Sequence, residues 1–386
     1  MKNKKTKKER GKLAQVLAFV LYMLAGAGCG IFIGKYISEL SDSGKTIGEL
    51  LFEAALLLAG LYLASFFQIV VHEAGHLVFG LLTGYRFCSF RIGSLMWIKD
   101  ENGIRFCRYS LAGTGGQCLM EPPAWNEEKT PCVLYNLGGP VMNLIFVVLF
   151  GGAAFYLREN SGIFIFFLEI ALMGAAFALI NGLPLHLGTV DNDGYNAFSL
   201  GKNKKALYSF WLQMKVNEEI TRGSRLKDMP AEWFEMPAQK ELENSMVAVI
   251  GVFACNRAMD EMDFHKASSM IRQLTEQKSG MVGLHRNLLL LDLIYCQLTA
   301  GETAGVDSDI SKQLEEKSMQ KFIKIMKKYP SVLRTQYAYA LLGEDNEEKA
   351  QQIKENFEKT VQKYPYPAEV QGERELMEYA WKRHQE

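Results

Sequence analysis

The sequence has no excess of charge of either sign: 43 basic residues stand against 43 acidic ones among 386. That balance excludes a strongly basic nucleic-acid binder and a strongly acidic tail protein. The chain also lacks the low hydrophobicity and high net charge of a disordered protein, since 48% of its residues are apolar. Cysteine is sparse and unpatterned. The seven cysteines are odd in number and nowhere spaced CxxC, which argues against a disulfide framework and against a thiolate zinc site.

What the chain does contain is unevenly distributed. As an average it describes a neutral soluble protein of two or three domains. Yet residues 1–200 hold 31 charged side chains and residues 201–386 hold 55. The first half is charge-poor enough for a membrane, the second charged enough for water.

Residues 1–12 carry seven basic side chains and one acid. An apolar run follows at 13–34, long enough to span a bilayer at about 20 residues and longer than the core of a usual secretory signal. Three more apolar runs lie at about 54–82, 133–157 and 163–185. The sequence thus predicts a mainly α, polytopic protein of about four spans. Arg86, Arg91, Lys99, Arg105, Arg108 and Lys129 crowd the 85–131 segment, and Lys202, Lys204 and Lys205 follow the last span. Positive residues mark the cytoplasmic side. Both termini and the 85–131 segment are therefore expected in the cytoplasm of a multi-pass cell-membrane protein, bacterial in character.

Residues 85–131 read as a small membrane-associated β segment. Arg91–Ile98 and Ile104–Tyr109 are β-compatible, with a hairpin turn between them at Asp100-Glu101-Asn102-Gly103. Beyond residue 200 the pattern is amphipathic helix, at Ser245–Gln277, Leu284–Leu298, Asp309–Lys328 and Asn346–Lys363. Residues 201–386 are accordingly expected to form a soluble, cytoplasmic array of α-helical hairpins of tetratricopeptide type, without a regular 34-residue period, able to bind a protein partner. The membrane-embedded domain is placed at 13–200.

Chemistry concentrates in the second span. His72-Glu73-Ala74-Gly75-His76 is an HExxH pattern. Residues four apart share a helix face, so both imidazoles can hold one Zn²⁺, and Glu73 can serve as general base. Two histidines and a glutamate in an apolar helix are costly in lipid and functional by default. A helix over 54–82 would be about 43 Å long, with His72–His76 about 6–12 Å from its centre on the cytoplasmic side. A third ligand is required. His265, His285 and His384 lie in the soluble half; His186, Asp191 and Asp193 follow the last span at suitable depth, after Pro184 ends the helix. His186 reads better as a membrane-interface residue than as a ligand.

These residues resemble the site-2 protease family of intramembrane zinc metalloproteases, peptidase family M50. The resemblance rests on HExxH in a span, on Asn181 and Pro184 as an Asn-x-x-Pro element, and on Asp193-Gly194. It covers about residues 50–200. It implies Asp193 as third zinc ligand, with Asp191 kept open because eight residues separate Pro184 from Asp193. Gly139-Pro140-Val141-Met142-Asn143 resembles the family's Gly-Pro-x-x-Asn element. By the same analogy Gly115-Gly116-Gln117 would pair with an unwound substrate as an added strand.

Some residues keep two readings. Asn143 is a substrate contact or an interhelical hydrogen bond. Asn181 contacts the substrate carbonyl or caps its helix. Glu169 is a proton or substrate contact, or pairs with another span. The implied activity is a zinc endopeptidase acting on a membrane protein or peptide precursor, in the lipid bilayer and without nucleic acid. Its rivals are a membrane-anchored scaffold with an inactive site and a transporter-associated peptidase for exported peptides.

Overall fold

The computed structural model describes residues 46–100, 103–110, 114–126, 130–184, 191–300 and 312–386, with single positions at 20, 23, 34 and 44. The expected span at 13–34 lies outside the described residues except for Val20, Met23 and Gly34, and His186 lies outside them altogether. The chain divides into two compact units, residues 1–86 with 131–203 and residues 87–130 with 204–386.

The first unit is built on three helices long and apolar enough to cross a membrane: α1 (Ile47–Leu82), α2 (Val133–Tyr156) and α3 (Ser161–Gly182). A short helix, α4 (Asp193–Ser199), follows. α1 starts seven residues before the expected Ala54, because Thr46 and Glu49 form a reciprocal cap. The Thr46 hydroxyl accepts from Glu49 N, and Thr46 N donates to the Glu49 carboxylate at 2.7 Å. An acid in the first turn also suits the positive end of the helix dipole, so Glu49 opens the helix instead of marking a loop.

The burial pattern of this unit is inverted relative to a soluble protein. The buried residues of α1 are Gly60, Ala64, Gln68, Val71, His72, Gly75, His76 and Gly80. Those of α2 include Asn136, Gly138, Gly139, Pro140 and Asn143. Small and polar side chains face inward, while Leu51, Leu58, Tyr62, Val148 and Phe155 face outward. In lipid no hydrophobic force holds helices together, and close approach through small residues does that work. The contact is tight: a Cβ at Gly75 would stand 2.3 Å from the Gly138 carbonyl oxygen, and one at Gly138 2.6 Å from that of Gly75.

The second unit joins a four-stranded sheet to a helical array. The strands are β1 (Arg86–Ile92), β2 (Leu95–Asp100), β3 (Gly103–Arg108) and β4 (Gly116–Glu121), in the order β3-β2-β1-β4. β2 and β3 pair antiparallel from Leu95 opposite Arg108 to Asp100 opposite Gly103. The expected single strand at Arg91–Ile98 is broken: the chain turns at Gly93-Ser94 and pairs β1 with β2, Ile92 opposite Leu95. Gly93 has φ +57°, a conformation open to glycine at little cost.

Eight helices of this unit are described: α5 (Lys204–Arg222), α6 (Ser245–Asp260), α7 (Phe264–Glu276), α8 (Gly283–Ala300), α9 (Lys317–Ile325), α10 (Pro330–Leu342), α11 (Glu347–Val361) and α12 (Pro367–Gln385). The expected segment Ser245–Gln277 is two helices. The chain reverses at Met262, in the left-handed region at φ 57°, and Asp263 caps α7 by accepting from Lys266 N. The core is conventional, with Leu291, Ile294, Tyr295, Val332, Leu333, Tyr337 and Phe357 buried together. The sheet segment is tied to the helices by Trp211 Nε1 donating to Pro123 O at 2.8 Å and by an Arg222–Glu121 ion pair at 3.1 Å.

Candidate metal centre

The centre is assembled from the first unit. Gln68, His72 and His76 recur every four residues along the inward stripe of α1. His72 Nε2 and His76 Nε2 stand 3.1 Å apart. Asp193, the first residue of α4, brings its Oδ2 to 3.1 Å from His72 Nε2 and 3.5 Å from His76 Nε2. Among the described residues these three form one group able to hold a metal ion, all their donor atoms within 4.8 Å of one another. Asp191 is not part of it.

The rear nitrogens determine what the front ones offer. His76 Nδ1 lies 2.8 Å from the Tyr135 carbonyl oxygen, which only accepts, so that nitrogen carries the hydrogen. His72 Nδ1 lies 2.8 Å from Asn143 Oδ1. The Asn143 amide is oriented in turn: its Nδ2 donates to Gln68 Oε1 at 2.7 Å and to Gln68 O at 3.1 Å. Gln68 Nε2 donates to the Ile170 carbonyl on α3 at 2.9 Å. One relay thus runs from α3 through α1 and α2 to His72. With both Nδ1 atoms donating, the neutral rings present two Nε2 lone pairs to each other and to a carboxylate oxygen. Protons or a cation must lie between them.

Asp193 is delivered by its neighbour. Asn192 caps α4, its Oδ1 accepting from Tyr195 N at 2.9 Å. Its Nδ2 donates at 2.6 Å to both Ile180 O and Leu183 O, carbonyls that the end of α3 leaves without helical partners. This ties α4 against the end of α3. Gly194 fits the same junction, since a Cβ there would meet the Gly182 carbonyl oxygen at 2.2 Å.

The remaining expected residues are distributed as follows. Glu73 is half-buried on the same turn as the two histidines. Asn143 is buried behind His72 and makes the interhelical hydrogen bonds just described. Asn181 donates to Phe177 O in its own helix at 3.1 Å. Pro184 follows the helix end, with Leu183 extended as a residue before proline must be. Glu169 is buried against α1, where a Cβ at Gly60 would stand 2.0 Å from its Oε2. Gly115 and Gly116 belong to the second unit, where Gly115 O accepts from Gly93 N at 2.8 Å and Gly116 opens β4. Three participants were not anticipated as such: Gln68, the Tyr135 carbonyl and Asn192. The four-residue spacing from His72 could have flagged Gln68, and an Asn before Asp-Gly is a helix-cap signal.

The site accepts zinc on its donor chemistry. Two imidazole nitrogens and one carboxylate oxygen are a known catalytic zinc set, leaving one position open. Tetrahedral ligands about 2.0–2.1 Å from the ion stand about 3.3 Å apart, and the three separations here are 3.1, 3.1 and 3.5 Å. A sequence profile for the family described as Peptidase family M50 matches residues 60–366. No curated protein and no solved structure matches the chain.

Proposed function

The chain belongs to peptidase family M50, and from that premise we propose that it is a zinc-dependent endopeptidase cutting peptide bonds in or near a membrane-spanning segment. The observation that carries this reading is the convergence of His72 Nε2, His76 Nε2 and Asp193 Oδ2 on one point, beside Glu73 and within three apolar helices.

In this reading His72, His76 and Asp193 hold the ion. Bound there, Zn²⁺ acts as a Lewis acid that makes water a better nucleophile and polarises a carbonyl. Glu73 does the proton work. Its carboxylate takes a proton from the attacking water as the C–O bond forms. It passes that proton to the amide nitrogen as the C–N bond breaks, so the amine leaves neutral and the carboxyl product keeps the water oxygen. Asn143 and the Tyr135 carbonyl keep both imidazole rings facing the ion. The substrate is a membrane protein or a peptide precursor whose helix unwinds locally. β4, an outer strand of the sheet, is the place where such a segment would add, starting at Gly116. The second unit recruits substrate or a regulatory partner on the cytoplasmic side.

Glu73→Gln tests the mechanism. It is expected to keep one zinc per chain by atomic absorption and to lower cleavage of a reconstituted membrane substrate by about 10²–10⁴-fold. Chelation should abolish cleavage and zinc should restore it. Undiminished cleavage by Glu73→Gln would reject the assignment of the base. An absence of zinc in purified wild-type protein would reject the metal.

A further inference from the structure

The second unit contains a cavity of about 280 Å³ that the peptidase reading does not use. Its wall includes Tyr109, Tyr329, Tyr364 and Tyr366, with Glu369 among them. Three of the rings meet almost at right angles. Tyr109 and Tyr364 lie 5.4 Å apart at 88°, Tyr364 and Tyr366 5.8 Å apart at 77°, and Tyr109 and Tyr366 6.2 Å apart at 74°. Three mutually perpendicular ring planes make the corner of a box, the arrangement in which aromatic faces surround a cation.

The charges at this corner are not balanced internally. Glu369 accepts one hydrogen bond, from the Tyr364 hydroxyl at 3.0 Å, and has no ion-pair partner among the described residues. The nearby arginines are engaged elsewhere: Arg91, whose charge acts on Tyr109 and Tyr366, donates to Gly93 O at 2.8 Å and to Thr114 Oγ1. Arg225 pairs with Asp260 and Glu375 at 2.6 Å each, and Arg334 with Asp292 at 2.6 Å and Glu373 at 2.9 Å. A second cavity of about 140 Å³ shares Tyr329, Tyr364 and Glu369 with the first and adds Asp260, Asp292 and Glu373, with Arg225 and Arg334, to the wall. Burial and the neighbouring Glu373 and Asp260 push the Glu369 carboxyl up to about 7, although the Tyr364 hydrogen bond opposes them. That is the state of a carboxylate lacking a counter-cation. Gln117 and Leu119, alternate residues of β4, line the same cavity, so an extended backbone can run beside the opening.

We propose that this tyrosine-walled cavity binds the lysine or arginine side chain of an extended peptide segment, with the ammonium or guanidinium group held between the tyrosine faces and the Glu369 carboxylate. The site is separate from the zinc chemistry and does not depend on it. The occupant is a basic segment of another polypeptide, and the chain's own basic residues 1–12 are the competing occupant that the test separates from it.

The test uses the full chain in detergent and a fluorescein-labelled dodecapeptide of the sequence Met1–Lys12, read by fluorescence anisotropy. A control peptide has every Lys and Arg replaced by Gln. The basic peptide is expected to bind and the control to bind at least tenfold more weakly. Glu369→Gln and, independently, Tyr366→Leu should each weaken the basic peptide about tenfold, a loss of roughly 1.4 kcal/mol, with the thermal midpoint of the chain not lowered by Glu369→Gln. Equal binding of both peptides, no binding by the wild type, or unchanged binding by Glu369→Gln would each overturn the proposal. A chain lacking residues 2–10 distinguishes the two occupants. Tighter peptide binding after the deletion identifies the chain's own tail as occupant, and unchanged binding identifies another polypeptide.

Discussion

The two units bury opposite kinds of side chain. The first hides glycine, histidine, glutamine and asparagine and exposes leucine, valine and phenylalanine. The second hides leucine, isoleucine, valine and aromatic rings. The difference follows from the solvent. In lipid an outward leucine costs nothing and a polar group must find its partner inside. In water the apolar group is the one driven inside. The lesson is where to look for function. In the first unit the interior is the site itself. In the second the informative features are the polar groups that an apolar core would not otherwise contain, Glu369 and the Arg334 pairs among them.

The contrast can be broken most sharply by enlarging the interior of the first unit. A Cβ at Gly139 would already stand 2.5 Å from the His72 ring. Gly139→Leu is therefore expected to lose zinc and cleavage together, by about 10²-fold or more in rate. Gly151→Leu, where nothing lies within 4 Å of the added Cβ, should leave both within about twofold on the same scale. Zinc content and substrate cleavage measured on both variants decide this, and equal effects would remove the distinction between inner and outer faces.

The second unit should fail in the opposite way, by losing charge from its interior. Arg334 is 1% exposed and stacks 4.5 Å over the Tyr295 ring. Arg334→Met leaves Asp292 and Glu373 without their cation and is expected to cost about 3–5 kcal/mol in chemical unfolding of the chain. An intermediate effect belongs to the relay behind the metal. Asn143→Ala removes the acceptor of His72 Nδ1 and should weaken zinc binding about 10–100-fold, read by competition with a chromophoric chelator. The protein should remain folded by circular dichroism.

A smaller effect separates the units by pH. Glu369 has a raised folded-state pKa of about 7 against 4.5 when free. Its protonated form is thus favoured on folding. That contribution is complete below about pH 4.5 and disappears as pH rises through about 7, so Glu369→Gln should flatten the thermal midpoint over this range by about 2–4 °C. A pH profile identical to wild type would contradict it. The smallest effect is expected at the surface. Lys382→Ala breaks an exposed ion pair with Glu378 and should stay within about 0.5 kcal/mol.

Legibility in the sequence follows the range of each contact. The histidine pair and Glu73 could be read directly, because their relation is set by one helical turn. Asp193 could be preferred to His186 and Asp191 only through resemblance, since 117 positions and two further spans separate it from His76 and no local rule connects them. Asn143 was singled out without its partner: its link to His72 depends on α1 and α2 approaching through Gly75 and Gly138, which a single sequence does not show. The helix start at Ile47 lies ahead of the apolar run because Thr46 and Glu49 form its cap, so hydropathy alone does not mark it. Gly93-Ser94 and Met262 were missed because each reverses the chain inside an otherwise continuous pattern.

The relay that ends on His72 also bears on how the protein is made. Gln68 and the histidines enter the membrane with α1, Asn143 with α2, and the Ile170 carbonyl with α3. Asp193 emerges only after α3, and Asn192 holds it by grasping that helix's last carbonyls. Each element translated earlier waits for a later one, so the full ligand set cannot form on a nascent chain that has inserted only one or two spans. The order of synthesis therefore keeps the group of His72, His76 and Asp193 incomplete until α2, α3 and α4 have followed α1.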